Sequence, residues 1–188
     1  RTLSSGEDAL LADLALVAER DLAARRLATC DDLTGLANRR GVLAAASDAL
    51  AICRRQRMPA TMLFFDLDGF KAINDTRGHA AGEHALRVFA GWLRATFRAS
   101  DVVGRLGGDE FVVLATSTGA AAIAGAVARL RDGLAASPEA LLFSVGVVEF
   151  DPQAHGSVDA LLAHADAAMF SHKATQRGAR VVPLVRRG

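Results

Sequence analysis

Hydrophobic and polar positions alternate along this chain with two periods, one typical of helices and one typical of strands. Apolar residues recur at helical spacing in five segments, and short apolar runs bounded by glycine, proline or aspartate lie between them. The predicted helices cover 3–29, 38–56, 79–97, 119–136 and 157–175. The predicted strands cover 61–65 (continuing into D-L-D), 101–106, 111–115, 141–148 and, as a short closing strand, 181–182.

The order of these elements predicts the fold class. From the strand at 61 to the strand at 148 the order is β-α-β-β-α-β, with a helix and a strand added at the end. This is the split ferredoxin-like or palm arrangement of the α+β class, in which two helices cover one face of an antiparallel sheet. Its first strand can lie beside the central hairpin. Residues 69–75 are predicted to be a short connecting segment.

The first predicted helix differs from the rest of the chain. Leu10, Leu14 and Val17 fall near one side of it, and charged residues occupy the others. Because Arg1 is not a natural start, we expect a fragment of a longer protein in which residues 1–29 form a connector or dimerisation stalk. Residues 30–188 would then form the main folded domain. A helix packed on its own domain is the open alternative.

Composition and charge narrow the functional classes. The chain has 188 residues, of which 51% are hydrophobic and 23% charged, with a net charge of +1. This balance argues against a nucleic-acid binder that works through a broad basic face. No bilayer-spanning run or signal peptide is visible, and Cys30 and Cys53 lack metal-ligand spacing. These features predict a cytoplasmic domain without membrane contact of its own, whether or not the larger protein is membrane-bound.

Acidic residues gather where the predicted strands end. Asp66 and Asp68 follow the first strand on the same face, and Asp109 and Glu110 follow two glycines in the hairpin. If the hairpin lies beside the first strand, these carboxylates converge, which is costly unless a cation shares the site. Oxygen ligands of this kind suit Mg²⁺, and paired metals serve phosphoryl transfer. A tight hairpin with solvated acids is the alternative.

With these residues in view, the chain resembles the GGDEF domain, the bacterial diguanylate cyclase family. The resemblance covers about residues 29–185 and rests on ordered motifs: D-L-T-G-L-A-N-R-R (32–40), F-D-L-D-G-F-K-A-I-N-D (65–75), G-H-A-A-G-E (78–83), R-L-G-G-D-E-F (105–111), S-V-G (144–146) and A-D-A-A-M-F (165–170). Chance agreement across so many blocks in the right order is remote.

The resemblance implies a reaction and a metal site. Two GTP molecules, each held by one domain of a homodimer, condense to cyclic di-GMP and release two pyrophosphates. Asp66, the Leu67 carbonyl and Asp109 would hold Mg²⁺ (or Mn²⁺), and Glu110 would support a second metal ion. Asp109 would also help to deprotonate the attacking 3′-hydroxyl.

The resemblance also implies a set of substrate-contacting residues. They are Gly69, Phe70, Lys71, Asn74, His79, Glu83, Gly107, Gly108, Lys173 and Arg177.

Three groups can be distinguished within this set. Lys173 and Arg177 are one helical turn apart and would bind phosphate, although cations near a helix C-terminus are also common without a ligand. Asn74 and Glu83 occupy guanine-reading positions, and His79 would be a structural contact near the loop. Glu83 replaces the family's usual aspartate with a side chain that is one methylene longer, so the affinity for guanine is open.

A second motif suggests regulation. Arg98 and Asp101 form an R-x-x-D pair shortly before the hairpin, which resembles the family's product-inhibition site. There Arg98 would grip the guanine or phosphate of cyclic di-GMP and Asp101 would accept from guanine. An arginine at a helix end and an aspartate opening a strand are the structural alternative.

Three hypotheses about the function are compatible with this sequence. The first is an enzyme that converts GTP to cyclic di-GMP and receives its signal from an upstream sensory domain. The second is a non-catalytic receptor for cyclic di-GMP or GTP; the retained acids and lysines favour the enzyme. The third, more remote, is a polymerase-like or adenylyl-cyclase-like enzyme, because a palm-type sheet alone does not assign a function.

Overall fold

The computed structural model of the chain describes residues 13, 14, 16, 17, 20 and 27–179, with the backbone alone for residues 120, 172 and 174–179. Residues 13, 14, 16, 17, 20 and 27–29 are helical. The later elements are α1 (Arg39–Gln56), β1 (Ala60–Leu67), α2 (Phe70–Arg77), α3 (His79–Thr96), β2 (Val102–Gly107), β3 (Glu110–Thr116), α4 (Ala120–Ala136), β4 (Phe143–Glu149) and α5 (Val158–Ala179).

The strands form one antiparallel sheet in the order β2-β3-β1-β4. Phe65 of β1 pairs with Phe111 of β3 on one side and with Val145 of β4 on the other. The first strand therefore lies directly beside the central hairpin, and the predicted α+β class and sheet are confirmed.

Helices cover both faces of this sheet. Because successive strand residues point to opposite faces, Leu63 and Phe65 of β1 pack with α3 and α4, whereas Met62 and Phe64 pack with α1 and α5. On the first face the ring of Phe89 lies edge-on to Phe65, at 5.9 Å between centroids. Each aromatic side chain buried in this way contributes about 1.5–3 kcal/mol. The buried strand explains why its sequence is a continuous apolar run.

Helix α1 is fixed at both ends by local chemistry. The Asn38 side chain caps it by accepting a hydrogen bond from the Gly41 N–H at 2.9 Å, and Arg57 ends it in the left-handed conformation at φ 55°. The segment before α1 joins the sheet, because the N–H of Arg105 donates to the Ala37 carbonyl at 2.8 Å. The loop that precedes α1 is thus hydrogen-bonded to β2.

Among the residues that the structure describes, the predicted elements agree with it except in one place. Residues 69–75 do not form a plain connecting segment, since Phe70–Arg77 is the helix α2. Most of the predicted helix 3–29 and all of the strand 181–182 lie outside the described residues. Within the described part of the chain, no helix combines the length and hydropathy that crossing a membrane requires.

Candidate active site

The predicted acidic residues meet at one end of the sheet. Asp66 of β1 pairs in register with Glu110 of β3, and Gly107 pairs with Glu110 across the hairpin, so Gly108 and Asp109 form its tip. The Leu67 N–H donates to the Asp109 carbonyl at 3.3 Å. The hairpin tip is therefore tied to the end of β1, as the sequence predicts.

Two glycines give this tip its shape. Gly107 has φ 151° and Gly108 has φ 50°, conformations that residues with a β-carbon rarely adopt. Nothing lies within 4 Å of a β-carbon built at either position. The turn therefore needs glycine for its backbone, and it leaves open space beside Asp109.

Lys173 of α5 contacts the acids of β1. Its ammonium group bonds the Asp66 carboxylate and lies 3.7 Å from Asp68. Ser144 of β4 donates a hydrogen bond to the same Asp68 oxygen at 2.8 Å. Leu67, between the two acids, is buried on the opposite face, so the predicted alternation is confirmed.

Burial, and then neighbouring carboxylates, raise the pKa values of Asp109 and Glu110. Burial raises the pKa of the Asp109 carboxyl above its ordinary value, and the neighbouring Asp66 charge raises it further. Although Glu110 is exposed overall, partial desolvation raises its pKa too, followed by the charges of Asp166, Asp109 and Asp66. A cation placed among these carboxylates would reverse both effects.

The donor chemistry suits a hard cation, although the carboxylates are not gathered around one point. Asp66, Asp109 and Glu110 offer oxygen ligands from two adjacent strands, which is the ligand type that Mg²⁺ prefers. Among the described residues, no three His, Cys, Asp or Glu side chains are grouped closely enough to hold a metal ion. In this structure the Lys173 ammonium is the positive charge that neutralises the Asp66 carboxylate.

Arg105 hydrogen-bonds the backbone of the hairpin tip. Arg105 of β2 donates from Nε and Nη2 to the Gly108 carbonyl at 3.0 and 2.7 Å. Its Nη1 donates to both carboxylate oxygens of Asp31 at 3.1 and 3.0 Å. Neither residue was assigned a role from the sequence.

The predicted phosphate-binding loop connects β1 to α2. Gly69 precedes α2 in the left-handed conformation at φ 74°, with open space around it. Phe70 packs partly against the core formed with α3 and α4, while Lys71 is exposed. The loop therefore presents a bare backbone and a free lysine side chain to solvent at the end of β1 that carries the acids.

The predicted guanine-reading residues lie at the junction of α2 and α3. Asn74 packs so closely on Gly82 that a β-carbon there would lie 2.1 Å from the Asn74 Oδ1. Glu83 is exposed and pairs with Arg87 one turn later at 3.1 Å. His79 is exposed at the start of α3. Asn74 and Glu83 thus come from adjacent helices that pack together.

The R-x-x-D pair lies beside a separate cavity of about 380 Å³. Arg98 and Asp101 line it together with Phe97 and Val103. The Asp101 carboxylate accepts from the Arg98 N–H at 2.9 Å and from the Thr116 N–H at 3.0 Å. Asp101 therefore also holds the backbone here, whereas the Arg98 side chain is exposed.

Arg177 lies on α5 by its backbone, and its side chain is outside the described residues. The sequence did not indicate a role for Asp166, which also lies on α5 and whose charge raises the pKa of Glu110. The spacing of Asp166 and Lys173, seven residues along one helix, is a signal that could have placed both near the acids.

Comparison with known proteins decides the family. The model of the family described as "Diguanylate cyclase, GGDEF domain" matches residues 28–179. The chain belongs to the GGDEF diguanylate cyclase family. Within it, the chain is 40% identical over 133 residues to the probable diguanylate cyclase DgcC of Escherichia coli strain K12, a match that covers 68% of this chain and 36% of that protein. The chain thus spans about a third of the curated relative's length.

Solved structures of this family agree with the fold. A sensory box/GGDEF family protein from Caulobacter crescentus has a TM-score of 0.71 and 33% identity, over 78% of this chain and 99% of the other. The coiled coil and GGDEF domain of DgcB from Caulobacter crescentus, in complex with c-di-GMP, has a TM-score of 0.76 and 28% identity, over 91% and 94%. Each likeness covers more than three quarters of this chain.

Proposed function

We propose that this chain is a diguanylate cyclase that condenses two GTP molecules into cyclic di-GMP. The observation that carries the proposal is that Asp66, Asp109 and Glu110 lie at the same end of the sheet, where Lys173 of α5 bonds Asp66. Such an arrangement offers acceptors for a proton and for cations beside a group that can bind phosphate. Membership of the family supports the assignment.

The chain's own residues divide the chemistry between them. Asp109 accepts the proton of the 3′-hydroxyl of one GTP, whose oxygen then bonds to the α-phosphorus of the other. The bond from that phosphorus to the bridging oxygen breaks, and pyrophosphate leaves; the same step with the two nucleotides in exchanged roles forms the second phosphodiester, closes the ring and releases the second pyrophosphate. Asp66, the Leu67 carbonyl, Asp109 and Glu110 would hold Mg²⁺ or Mn²⁺, which supplies charge neutralisation at the phosphates.

Phosphate and base are bound on either side of these acids. The exposed backbone at Gly69 and Phe70, Lys71 and the cations of α5 take the triphosphate, and Lys173 exchanges Asp66 for phosphate oxygens when the nucleotide enters. Asn74 and Glu83 read guanine, because a carboxylate accepts from guanine N1–H and N2–H₂ whereas adenine has no donor at N1. Glu83 gives up Arg87 to do so.

Catalysis requires a second copy of the chain. One domain holds one GTP, so the two half-sites must face each other before the 3′-hydroxyl reaches its phosphate. The exposed apolar side chains of Leu14, Val17 and Leu27 before the domain support a stalk that brings copies together. The coiled coil resolved with the DgcB domain is consistent with such a stalk.

Cyclic di-GMP also acts as inhibitor in this proposal. The exposed Arg98 guanidinium and the adjoining cavity of about 380 Å³ provide a place for a guanine or a phosphate outside the acidic site. A product molecule that bridges two domains there holds the half-sites apart. The solved complexes of GGDEF domains with c-di-GMP support a product-binding role.

Incubation with Mg²⁺ and either GTP or ATP, followed by chromatography of the products, tests the proposal. We expect cyclic di-GMP from GTP alone, no product from Asp66→Asn, and normal product from the matched variant Asp75→Asn, whose carboxylate is exposed on α2. Turnover of ATP without GTP would favour the adenylyl-cyclase-like alternative. Binding of cyclic di-GMP by a chain that forms no product would favour the receptor.

A further inference from the structure

The Arg105 guanidinium makes four hydrogen bonds, two to a backbone carbonyl and two to a carboxylate. The carbonyl is that of Gly108, and the carboxylate is that of Asp31. Only 13% of the Arg105 side chain and 22% of the Asp31 side chain are accessible to solvent. This shielded pair, in which the single nitrogen Nη1 contacts both carboxylate oxygens, has a more defined geometry than an exposed surface ion pair.

The bonded carbonyl belongs to the peptide that joins Gly108 to Asp109. Fixing this oxygen fixes the plane of that peptide, because the peptide bond is rigid. On its other side, Asp109 is held through its own carbonyl by the Leu67 N–H at 3.3 Å. The backbone on both sides of the Asp109 side chain is therefore anchored, and Arg105 supplies one of the two anchors.

Asp31 is itself held in place. Its carboxylate accepts hydrogen bonds from the N–H and the hydroxyl of Thr34 at 2.9 and 2.6 Å. Burial acts to raise the pKa of Asp31, but the hydrogen bonds from Thr34 and Arg105 outweigh it and keep this pKa below its ordinary value. Asp31 therefore meets Arg105 as a fixed, ionised carboxylate.

The loop of Asp31 is joined to the end of the preceding helix. The Asn38 amide donates to the carbonyls of Ala28 and Cys30 at 3.2 and 3.1 Å, and the Asn38 N–H donates to Thr29 at 2.9 Å. A β-carbon on Gly41 would lie 2.2 Å from the Thr29 carbonyl, so α1 touches this segment directly. The arginine thus connects the entry of the chain into the domain with the hairpin tip.

We propose that Arg105, held by Asp31, is a positioning residue that sets the Asp109 carboxylate for reaction and ties the hairpin tip to the N-terminal entry of the domain. This inference rests on the proposed cyclase function for its effect on turnover. Arginine is needed because its planar fork serves two acceptors at fixed angles, which the single ammonium of lysine does not reproduce.

Kinetics of Arg105→Lys and Asp31→Asn test this role, with Arg54→Ala as the matched control. Arg54 also donates to a backbone carbonyl, that of Pro152 at 2.9 Å, but at an exposed site away from the acids. We expect Arg105→Lys to lower kcat about 10- to 100-fold, as small misplacements of reacting groups do, with the KM for GTP within about twofold. Asp31→Asn should lower kcat less, and the double variant should be no worse than Arg105→Lys because the two side chains act as a unit.

A second readout is independent of turnover. Backbone amide hydrogen exchange of residues 106–111 should be faster in Arg105→Lys than in the wild-type chain, and Mn²⁺ should bind about tenfold more weakly if the metal ligands are those proposed. Arg54→Ala should match the wild type in both.

The outcomes separate the two proposals. Wild-type kcat in Arg105→Lys, or a loss of activity that follows only the loss of folded protein, would overturn the positioning role. If the wild type forms no cyclic di-GMP, the cyclase proposal fails. Backbone amide hydrogen exchange then tests the role of Arg105 by itself. Faster exchange confined to 106–111 would uphold the role of Arg105 in the turn, and unchanged exchange would overturn it.

Discussion

At the level of single residues, Asp109 and Glu110 lower the stability of the folded chain at neutral pH. Asp109 and Glu110 have pKa values raised above the ordinary 3.8 and 4.5, chiefly by desolvation and then by neighbouring carboxylates. Between the ordinary and the raised pKa of each acid, the folded chain therefore binds more protons than the unfolded chain. Stability falls over that interval, and the loss persists at neutral pH.

Removing one of these charges should therefore stabilise the free chain. We expect Asp109→Asn to raise the Tm at pH 7 by a few degrees, on the order of 2–4 °C, while abolishing turnover. The difference should shrink as the pH falls through the raised pKa of Asp109, and it should be absent below the ordinary value of 3.8, where the carboxyl is protonated in the folded and the unfolded chain alike. Calorimetry across pH, with the exposed Asp48→Asn as control, measures it; a lower Tm for Asp109→Asn at pH 7 would contradict the account.

The sequence predicts single residues well where alternation along a strand decides their position. Asp66, Leu67 and Glu110 lie where the strand pattern places them, because the register of β1 with β3 follows from its apolar face. Arg105 and Asp31 could not be paired from sequence, since 74 positions separate them. Their contact depends on how the loop before α1 joins β2, for which no local pattern exists.

At the scale of elements, the contact between α2 and α3 should control the affinity for guanine. Gly82→Ala places a β-carbon 2.1 Å from the Asn74 Oδ1 and must turn that side chain away. We expect the KM for GTP to rise about tenfold, the cost of about 1.4 kcal/mol of binding energy, with kcat largely kept.

The same helix offers a matched control for this change. Gly91 has nothing within 4 Å of its built β-carbon. Gly91→Ala should leave the KM unchanged and stabilise the helix by about 0.5–1 kcal/mol. An unaltered KM for Gly82→Ala would show that Asn74 does not read the base.

The packing of α5 on β4 should control the position of Lys173. A β-carbon on Gly146 would lie 2.0 Å from the Ala165 carbonyl oxygen and 2.4 Å from the Met169 nitrogen, so α5 must move. We expect Gly146→Ala to cost about 1–3 kcal/mol of stability and to reduce turnover. Chemical denaturation with Gly156→Ala, an open position, as control measures the cost; wild-type stability of Gly146→Ala would contradict this packing.

The elements themselves follow from periodicity, with α2 as the exception. Its eight residues are too few to show a clear helical pattern, and it follows Gly69 without a side-chain cap. Short helices are marginal in isolation and depend on packing. Its contact with α3 is a tertiary feature that the pattern of residues 69–75 does not contain.

At the scale of the whole molecule, product inhibition should be separable from catalysis. Arg98→Ala removes the guanidinium but keeps the backbone N–H that bonds Asp101. We expect inhibition by cyclic di-GMP to be lost while initial turnover stays within about twofold. Titration of activity with added product measures this, and unchanged inhibition would exclude Arg98 from the product site. Asp101 is the poorer target, because its carboxylate also holds Thr116 of β3.

The central claim is that two copies of this chain, each holding one GTP, form cyclic di-GMP between them. The most direct test is the initial rate of cyclic di-GMP formation from GTP and Mg²⁺, measured over a wide range of chain concentration. We expect product from GTP and a rate per mole of chain that rises with concentration until the dimer saturates. A constant rate per mole would contradict the shared site, and no product at any concentration would contradict the cyclase.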